Sequence, residues 1–371
     1  MAESGLSTRE LSVGYGKKLI VSGIEISAER GKILTLIGPN GAGKSTVLKT
    51  LCRQLAPLGG TVYIGENKLE ELSGNELARS AAVLLTGRVR TEYMRCRDVV
   101  EMGRYPYTGR LGVLSAHDRE KVEEAIKKVD IEGIADCDFD RVSDGQRQRV
   151  LIAGAICREP QVLILDEPVT FLDIKYKLEL MDILKRLASE NNTAIIMSLH
   201  ELDLAQRVSD KLLCIKGDRP ERFGSPEEIF TGGYIEELYG IEKGSLCEYY
   251  GTPELLGCDG EPRVFVIGGG GSGIAVYRKL RRLGIPFAAG IIHENDIEYP
   301  VASALAAKLV TERAFELISE ESYRKAFEIM SKCESVICAA ESFGTMNEPC
   351  RELLNEAERA GRLIEGAFDE K

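Results

Sequence analysis

Residues Gly38-Pro39-Asn40-Gly41-Ala42-Gly43-Lys44-Ser45 fit the pattern G-x-x-x-x-G-K-[ST], a spacing with a direct chemical use. Glycines let successive backbone N–H groups curl around an anion, and a helix opening near Lys44 points its positive end at the same place. Lys44 is suited to the β- and γ-phosphates of a bound nucleotide and the Ser45 hydroxyl to Mg²⁺, with Thr46 following in the first helical turn. Downstream, Val162-Leu163-Ile164-Leu165 runs into Asp166-Glu167. An apolar strand ending on adjacent carboxylates sets them at the carboxyl edge of a sheet, where open α/β folds bind ligands. Asp166 then suits Mg²⁺, directly or through water. Glu167 suits the base that polarises the water attacking the γ-phosphorus.

These groups need strands and helices to hold them. A strand over 33–37 runs into the glycine loop, and a helical pattern opens at Lys44. Residues 74–137 turn helical and charged. A helix over 146–157 leads to the strand 162–165, and a helix over 174–191 delivers a strand over 193–199. Strand alternating with helix indicates a mostly parallel α/β core. Turn-rich residues follow from about 218 to 260, and a fresh α/β pattern begins at Arg263. The expected organisation is a nucleotide-hydrolysing domain over 1–235, a linker over 236–262 and a small domain over 263–371.

Composition narrows the partners. The chain has 371 residues, 44% hydrophobic and 29% charged, which is enough apolar material for two packed cores. A formal net charge of -11 argues against nucleic acid, whose binders carry a basic excess. The ten cysteines include no C-x-x-C pair, and the first residues lack a signal-peptide pattern, so a reduced, cytosolic setting is expected. No run approaches the roughly 20 apolar residues that span a bilayer. Work at a membrane would therefore require docking onto other subunits.

The residues between the two phosphate-site elements carry a family resemblance. Val142-Ser143-Asp144-Gly145-Gln146-Arg147-Gln148-Arg149 resembles the LSGGQ signature of ATP-binding-cassette (ABC) ATPases. Asp166-Glu167-Pro168 followed by Phe171-Leu172-Asp173 resembles that family's Walker B and D-loop. His200 resembles its switch histidine, and Tyr15 the aromatic residue that stacks on adenine. Order and intervals match along residues 6 to about 230. The resemblance implies an ABC-type P-loop NTPase with a RecA-like core, an antiparallel β subdomain and a helical signature subdomain. It also implies a homodimeric, Mg-dependent ATPase in which Ser143, Asp144, Gly145 and Gln146 meet the ATP held by the other copy. Asp144 stands where the family usually has glycine. The expected Q-loop glutamine is missing, with Thr86 in its place as a possible Mg²⁺ ligand.

Roughly a hundred residues between Lys44 and Ser143 leave no room for the coiled coil of chromosome-maintenance ABC proteins. A single phosphate loop argues against the two-cassette translation factors, and absent membrane helices argue against fused exporters. An importer subunit remains, peripheral on the cytoplasmic face of the cell membrane. Its implied partners are transmembrane permease subunits and, indirectly, an extracytoplasmic substrate-binding protein. Gly103-Arg104-Tyr105-Pro106 resembles a segment of iron-siderophore, haem and cobalamin importers that faces the permease. An appended domain like 263–371 resembles that of some archaeal cobalamin-type ATPases, which favours cobalamin slightly. The competing reading is a soluble regulatory or assembly ATPase whose tail senses a nucleotide or metabolite.

In the tail, Gly268-Gly269-Gly270-Gly271-Ser272-Gly273 follows a strand over 264–267 and fits G-x-G-x-x-G, with Glu294 and Asp296 about twenty residues further on. The expectation is a Rossmann-like accessory domain with a possible ligand site at Gly268, Gly270, Gly273 and Glu294. A structural or dimerising lobe is an equal alternative. About 110 residues leave little for a separate catalytic domain.

Overall fold

The structure is a computed structural model that describes residues 4–85, 93–109, 111–170, 172–241, 245–247 and 252–364. Thr86 and Phe171 lie outside the described residues. The chain divides into two compact units, Met1–Tyr239 and Gly240–Lys371.

The first unit is built on a six-stranded sheet. Its order is Arg219–Gly224, Lys211–Lys216, Ile33–Ile37, Ala194–Ser198, Val162–Asp166, Ala81–Leu84. The last five strands are parallel, and Arg219–Gly224 pairs antiparallel at one edge. Every residue of Ile33–Ile37, Val162–Asp166 and Ala194–Ser198 is buried. A parallel sheet covered on both faces explains why these three strands read as unbroken apolar runs without alternation. Beside it lies an antiparallel sheet centred on Ser4–Tyr15, which pairs with Lys18–Ile24, Ser27–Glu29 and Gly59–Ile64. Leu6, Leu11 and Val13 of this second sheet share one core with Val47, Leu48, Ile164 and Ile196.

A helical segment lies between the phosphate loop and the Val162–Asp166 strand. It contains Cys96–Glu101, a 3₁₀ turn over Met102–Tyr107, Ala116–Lys128 and Asp144–Ile156. Ser115 and Ser143 start the last two helices with reciprocal capping boxes, each serine hydroxyl accepting the third helical N–H. The long helix Ile174–Asn191 starts on Asp173, whose Oδ1 accepts the Tyr176 N–H at 3.0 Å. Asn192 ends it in the left-handed region. These features form an α/β P-loop NTPase with a helical subdomain.

The second unit is an α/β extension. Four parallel strands run in the order Lys308–Glu312, Phe287–His293, Val264–Ile267, Ser335–Cys338. This is the 3-2-1-4 order of a mononucleotide-binding half. Helices Ile274–Arg282, Tyr299–Leu305, Glu320–Lys332 and Glu348–Arg359 complete it, and two separate apolar clusters pack on the sheet. A short hairpin, Ser245–Cys247 with Thr252–Glu254, precedes the sheet in a segment that reads as a linker in the sequence. Among the described residues, no helix is long and apolar enough to cross a membrane.

Candidate nucleotide site

The phosphate loop leaves the Ile33–Ile37 strand at Gly38, whose φ of 146° only glycine adopts readily. Close approach adds a second demand there, since a Cβ would sit 2.2 Å from the Ile215 carbonyl oxygen. At Gly43, the N-cap of helix Lys44–Leu51, φ is 97° and a Cβ would press on Ile20 and Val21 at 2.7 and 2.8 Å. Those two residues belong to the hairpin whose first strand ends on Tyr15, so the aromatic ring comes from an element that borders the loop. Tyr15 is half exposed, as a ring offered to a base would be.

Lys44 is buried, and its Nζ donates to the carbonyls of Gly38 at 2.7 Å and Pro39 at 3.0 Å. Burial pulls its pKa down, while the charges of Glu167 and Asp166 oppose that shift. Asn40, Gly41 and Ala42 form the tip, with the Ala42 N–H closing a turn onto the Pro39 carbonyl at 3.2 Å.

At the sheet's carboxyl edge, Asp166 Oδ1 accepts from the Ser45 hydroxyl at 3.1 Å and from the Ser198 hydroxyl at 2.7 Å. Ser45 and Asp166 are hard oxygen donors held side by side, a donor set that fits Mg²⁺. Ser198 escapes the sequence reading as a functional residue. It faces Asp166 in register on the adjacent strand, and its Oγ also accepts the Glu167 N–H at 2.9 Å. One hydroxyl thereby ties the two acids together. Glu167 itself has a φ of 49°, an uncommon backbone state of the kind that clusters at functional sites. Its Oε1 lies 2.6 Å from His200 Nε2, and its Oε2 accepts from the Thr170 hydroxyl at 3.2 Å. The residue after His200 is anchored too, with Glu201 paired to Lys177 at 2.8 Å. Lys44, Ser45, Asp166, Glu167 and His200 thus form one connected site, to which Ser198 and Thr170 are added.

The signature residues stand at a different helix start. The Ser143 hydroxyl accepts the Gln146 N–H at 3.3 Å, and Gln146 Oε1 accepts the Ser143 N–H at 3.0 Å. Asp144 pairs with Arg147 at 2.8 Å, so its charge is answered within its own helix. A Cβ at Gly145 would lie 2.9 Å from the Tyr176 ring, which explains the glycine. Ser143 and Asp144 are exposed. Among the described residues, no recorded hydrogen bond joins Ser143 to the Lys44 loop. Asp173 is engaged as the helix cap already described.

The Gly103-Arg104-Tyr105-Pro106 segment turns its arginine inward. Arg104 is 2% exposed, with its Nε on Asp118 at 2.9 Å and its Nη1 on the Cys157 carbonyl at 2.7 Å. Its guanidinium lies 3.9 Å from the Tyr107 ring centre. A Cβ at Gly103 would meet the Gly154 carbonyl oxygen at 2.2 Å. Met102 and Tyr105 are exposed, while Pro106 and Tyr107 are half-buried.

In the second unit the glycine loop already has occupants. The Gly270 N–H donates to Asp296 Oδ2 at 2.7 Å, and the Gly273 N–H donates to Glu298 Oε2 at 2.7 Å. Glu298 is fully buried, and its Oε1 accepts the Tyr277 hydroxyl at 2.8 Å. A Cβ at Gly268 would collide with that carboxylate at 2.2 Å. Burial pushes the Glu298 carboxyl up, against the downward pull of these hydrogen bonds. Glu294 is exposed and meets the next strand through its backbone, its N–H on the Glu312 carbonyl at 2.9 Å. A pyrophosphate would have to displace two carboxylates that take up these amides. Titration of the full chain with NADH, followed by its fluorescence, should therefore show no saturable binding up to millimolar dinucleotide; saturable enhancement would contradict this.

The family described as ABC transporter matches residues 21–170, and the one described as MJ0874 family matches residues 287–365. An uncharacterised ABC transporter ATP-binding protein of Methanocaldococcus jannaschii is 43% identical over 276 residues, covering 74% of this chain and 95% of the relative. A probable siderophore transport system ATP-binding protein of Bacillus subtilis is 36% identical, covering 68% of this chain and 92% of that one. Among solved structures, a dimeric bacterial ABC transporter cassette superposes with a TM-score of 0.52 at 25% identity, covering 59% of this chain and 98% of that one.

Proposed function

The chain belongs to the ABC transporter family of ATP-binding proteins, and on that premise we propose that it is the ATP-hydrolysing subunit of an importer for a metal chelate. The observation that carries the motor part is the 2.6 Å contact between Glu167 and His200 beside the Lys44 loop. Lys44 grips the β- and γ-phosphates, and Tyr15 stacks on the adenine. Ser45 and Asp166 hold Mg²⁺, which supplies positive charge against the phosphates when bound. Glu167 takes the proton of the attacking water. His200 and Thr170 hold its two oxygens in place, so the carboxylate meets the water without reorganising. Ser198 keeps Glu167 beside Asp166.

The exposed Ser143 helix start closes over the ATP of a second copy, and two Mg-ATP molecules join the pair. The dimeric cassette found among the similar structures supports this arrangement. The siderophore-transport relative supports the cargo class. Within this reading the cassette sits on the cytoplasmic face of the membrane against a permease, supplied by an extracytoplasmic binding protein. Uptake by the chain reconstituted with its permease in proteoliposomes tests the cargo. Ferric siderophore, haem and cobalamin would be compared with a sugar and an amino acid. Uptake of only the last two would remove the chelate reading.

Tyr105, exposed on a segment whose arginine is buried, is the more exposed of the two side chains there, Met102 and Tyr105, that can meet a permease. Replacing Tyr105 by Ala should leave ATP hydrolysis of the isolated chain within about twofold, since a surface truncation of this kind costs little stability. Chelate uptake by the reconstituted complex should fall by about tenfold, the loss of one aromatic interface anchor. Unchanged uptake would place the permease contact elsewhere.

A further inference from the structure

We propose that Tyr239 is a positioning residue for ATP, its hydroxyl fixing the first peptide of the phosphate loop from the far end of the first unit. The Gly38 N–H donates to the Tyr239 hydroxyl at 3.1 Å. The two residues are 201 positions apart in the chain. Gly38 is buried, and burial of the Tyr239 phenol pushes its pKa up to about 12, so it remains a neutral hydroxyl.

The placement of this bond gives it more than a packing role. It holds the peptide before the Gly38 Cα, while Lys44 holds the peptide after it through the Gly38 carbonyl. Together the two bonds fix the rotation of a glycine whose φ of 146° no side chain helps to define. When Lys44 turns its ammonium toward the phosphates, the Gly38 carbonyl must share that charge. The Tyr239 bond, on the preceding peptide, then becomes the tie at Gly38 that does not compete with nucleotide.

Tyr239 is itself firmly seated. It ends the helix Tyr234–Tyr239, whose Ile235 and Leu238 are buried, and the Glu237 carbonyl accepts from Lys216 at 2.7 Å. Gly240, the next residue, starts the second unit with a φ of 63°.

The inference rests on the nucleotide reading of the Lys44 loop and is independent of the cargo. Tyr239→Phe in the full chain keeps the ring and removes only the hydroxyl. Tyr234→Phe, on the same helix, removes a hydroxyl bonded to Glu221 at 3.3 Å and serves as the control. Tyr239→Phe should raise both the KM for Mg-ATP and its Kd by about three- to tenfold, the loss of one buried neutral hydrogen bond. Its kcat should stay within about twofold. Tyr234→Phe should lower the Tm while leaving KM and Kd at the wild-type values.

Equal KM and Kd in Tyr239→Phe and wild type, with only the Tm changed, would overturn the proposal. Failure of the wild-type chain to bind Mg-ATP would instead overturn the nucleotide reading beneath it. Amide hydrogen exchange on the wild-type chain needs no variant. The Gly38 amide should be protected before nucleotide is added, and exchange at the rate of an open loop would also overturn the assignment.

Discussion

Replacing Glu167 by Gln should lower steady-state ATP hydrolysis by at least about a hundredfold, the usual size of a general-base contribution, while Mg-ATP still binds. The carboxylate is presented by a backbone at φ 49°, and its two oxygens are held by His200 and Thr170. Glutamine keeps the shape and can still meet both partners. It cannot accept the proton of the attacking water. Binding and turnover are therefore separated by a change of one atom type. In the family's arrangement ATP joins two copies, so blocked turnover should accumulate a dimer. Phosphate release gives the first number, and light scattering after size exclusion gives the second. A Glu167→Gln chain that binds Mg-ATP and stays monomeric would remove the role assigned to Ser143.

The second large effect concerns folding. Arg104→Ala should destabilise the first unit by about 3–5 kcal/mol, because Asp118 would be left buried without its guanidinium. For a domain of this size that corresponds to a Tm lower by on the order of 10 °C, measured by scanning calorimetry. The Asp118 carboxyl is held down to about 2 by the Ser115 hydroxyl first, against the opposing effect of burial, and further by the Ser115 N–H and Arg104. A depressed folded-state pKa means stability gained above the unfolded value of 3.8 and lost as pH falls toward about 2. The gap in Tm between wild type and Arg104→Ala should accordingly narrow below about pH 4. A gap that holds steady down to pH 2 would show that Asp118 ionisation is not what Arg104 serves.

How much was legible in the sequence varied with how local the constraint was. The phosphate loop was readable because its glycines answer backbone demands within eight consecutive residues. Asp166 and Glu167 were readable because a fully buried parallel strand leaves an uninterrupted apolar run before them. Ser198 and Thr170 carry no local signal of this kind. The first acts through strand register across to Asp166, and the second through a turn that brings it back onto Glu167.

Arg104 is a further case. Its segment resembles one that faces a permease, and nothing in the local spacing shows that the arginine turns inward, since the acid that neutralises it lies fourteen positions away and the carbonyl it caps lies fifty-three away. In the tail, the spacing of glycines gave the strand, loop and helix but could not tell whether the loop amides were free. Asp296 and Glu298 answer them, while Glu294 faces outward.

The short helix that ends on Tyr239 has a practical consequence for dissecting the molecule. A fragment stopped at residue 235, where the turn-rich composition invites a cut, would lose the phenol that meets Gly38. Its poor affinity for nucleotide would then be mistaken for help normally given by the missing tail. Retaining five more residues, through Gly240, keeps that clamp, and only such a fragment compares the motor fairly with and without its appendage.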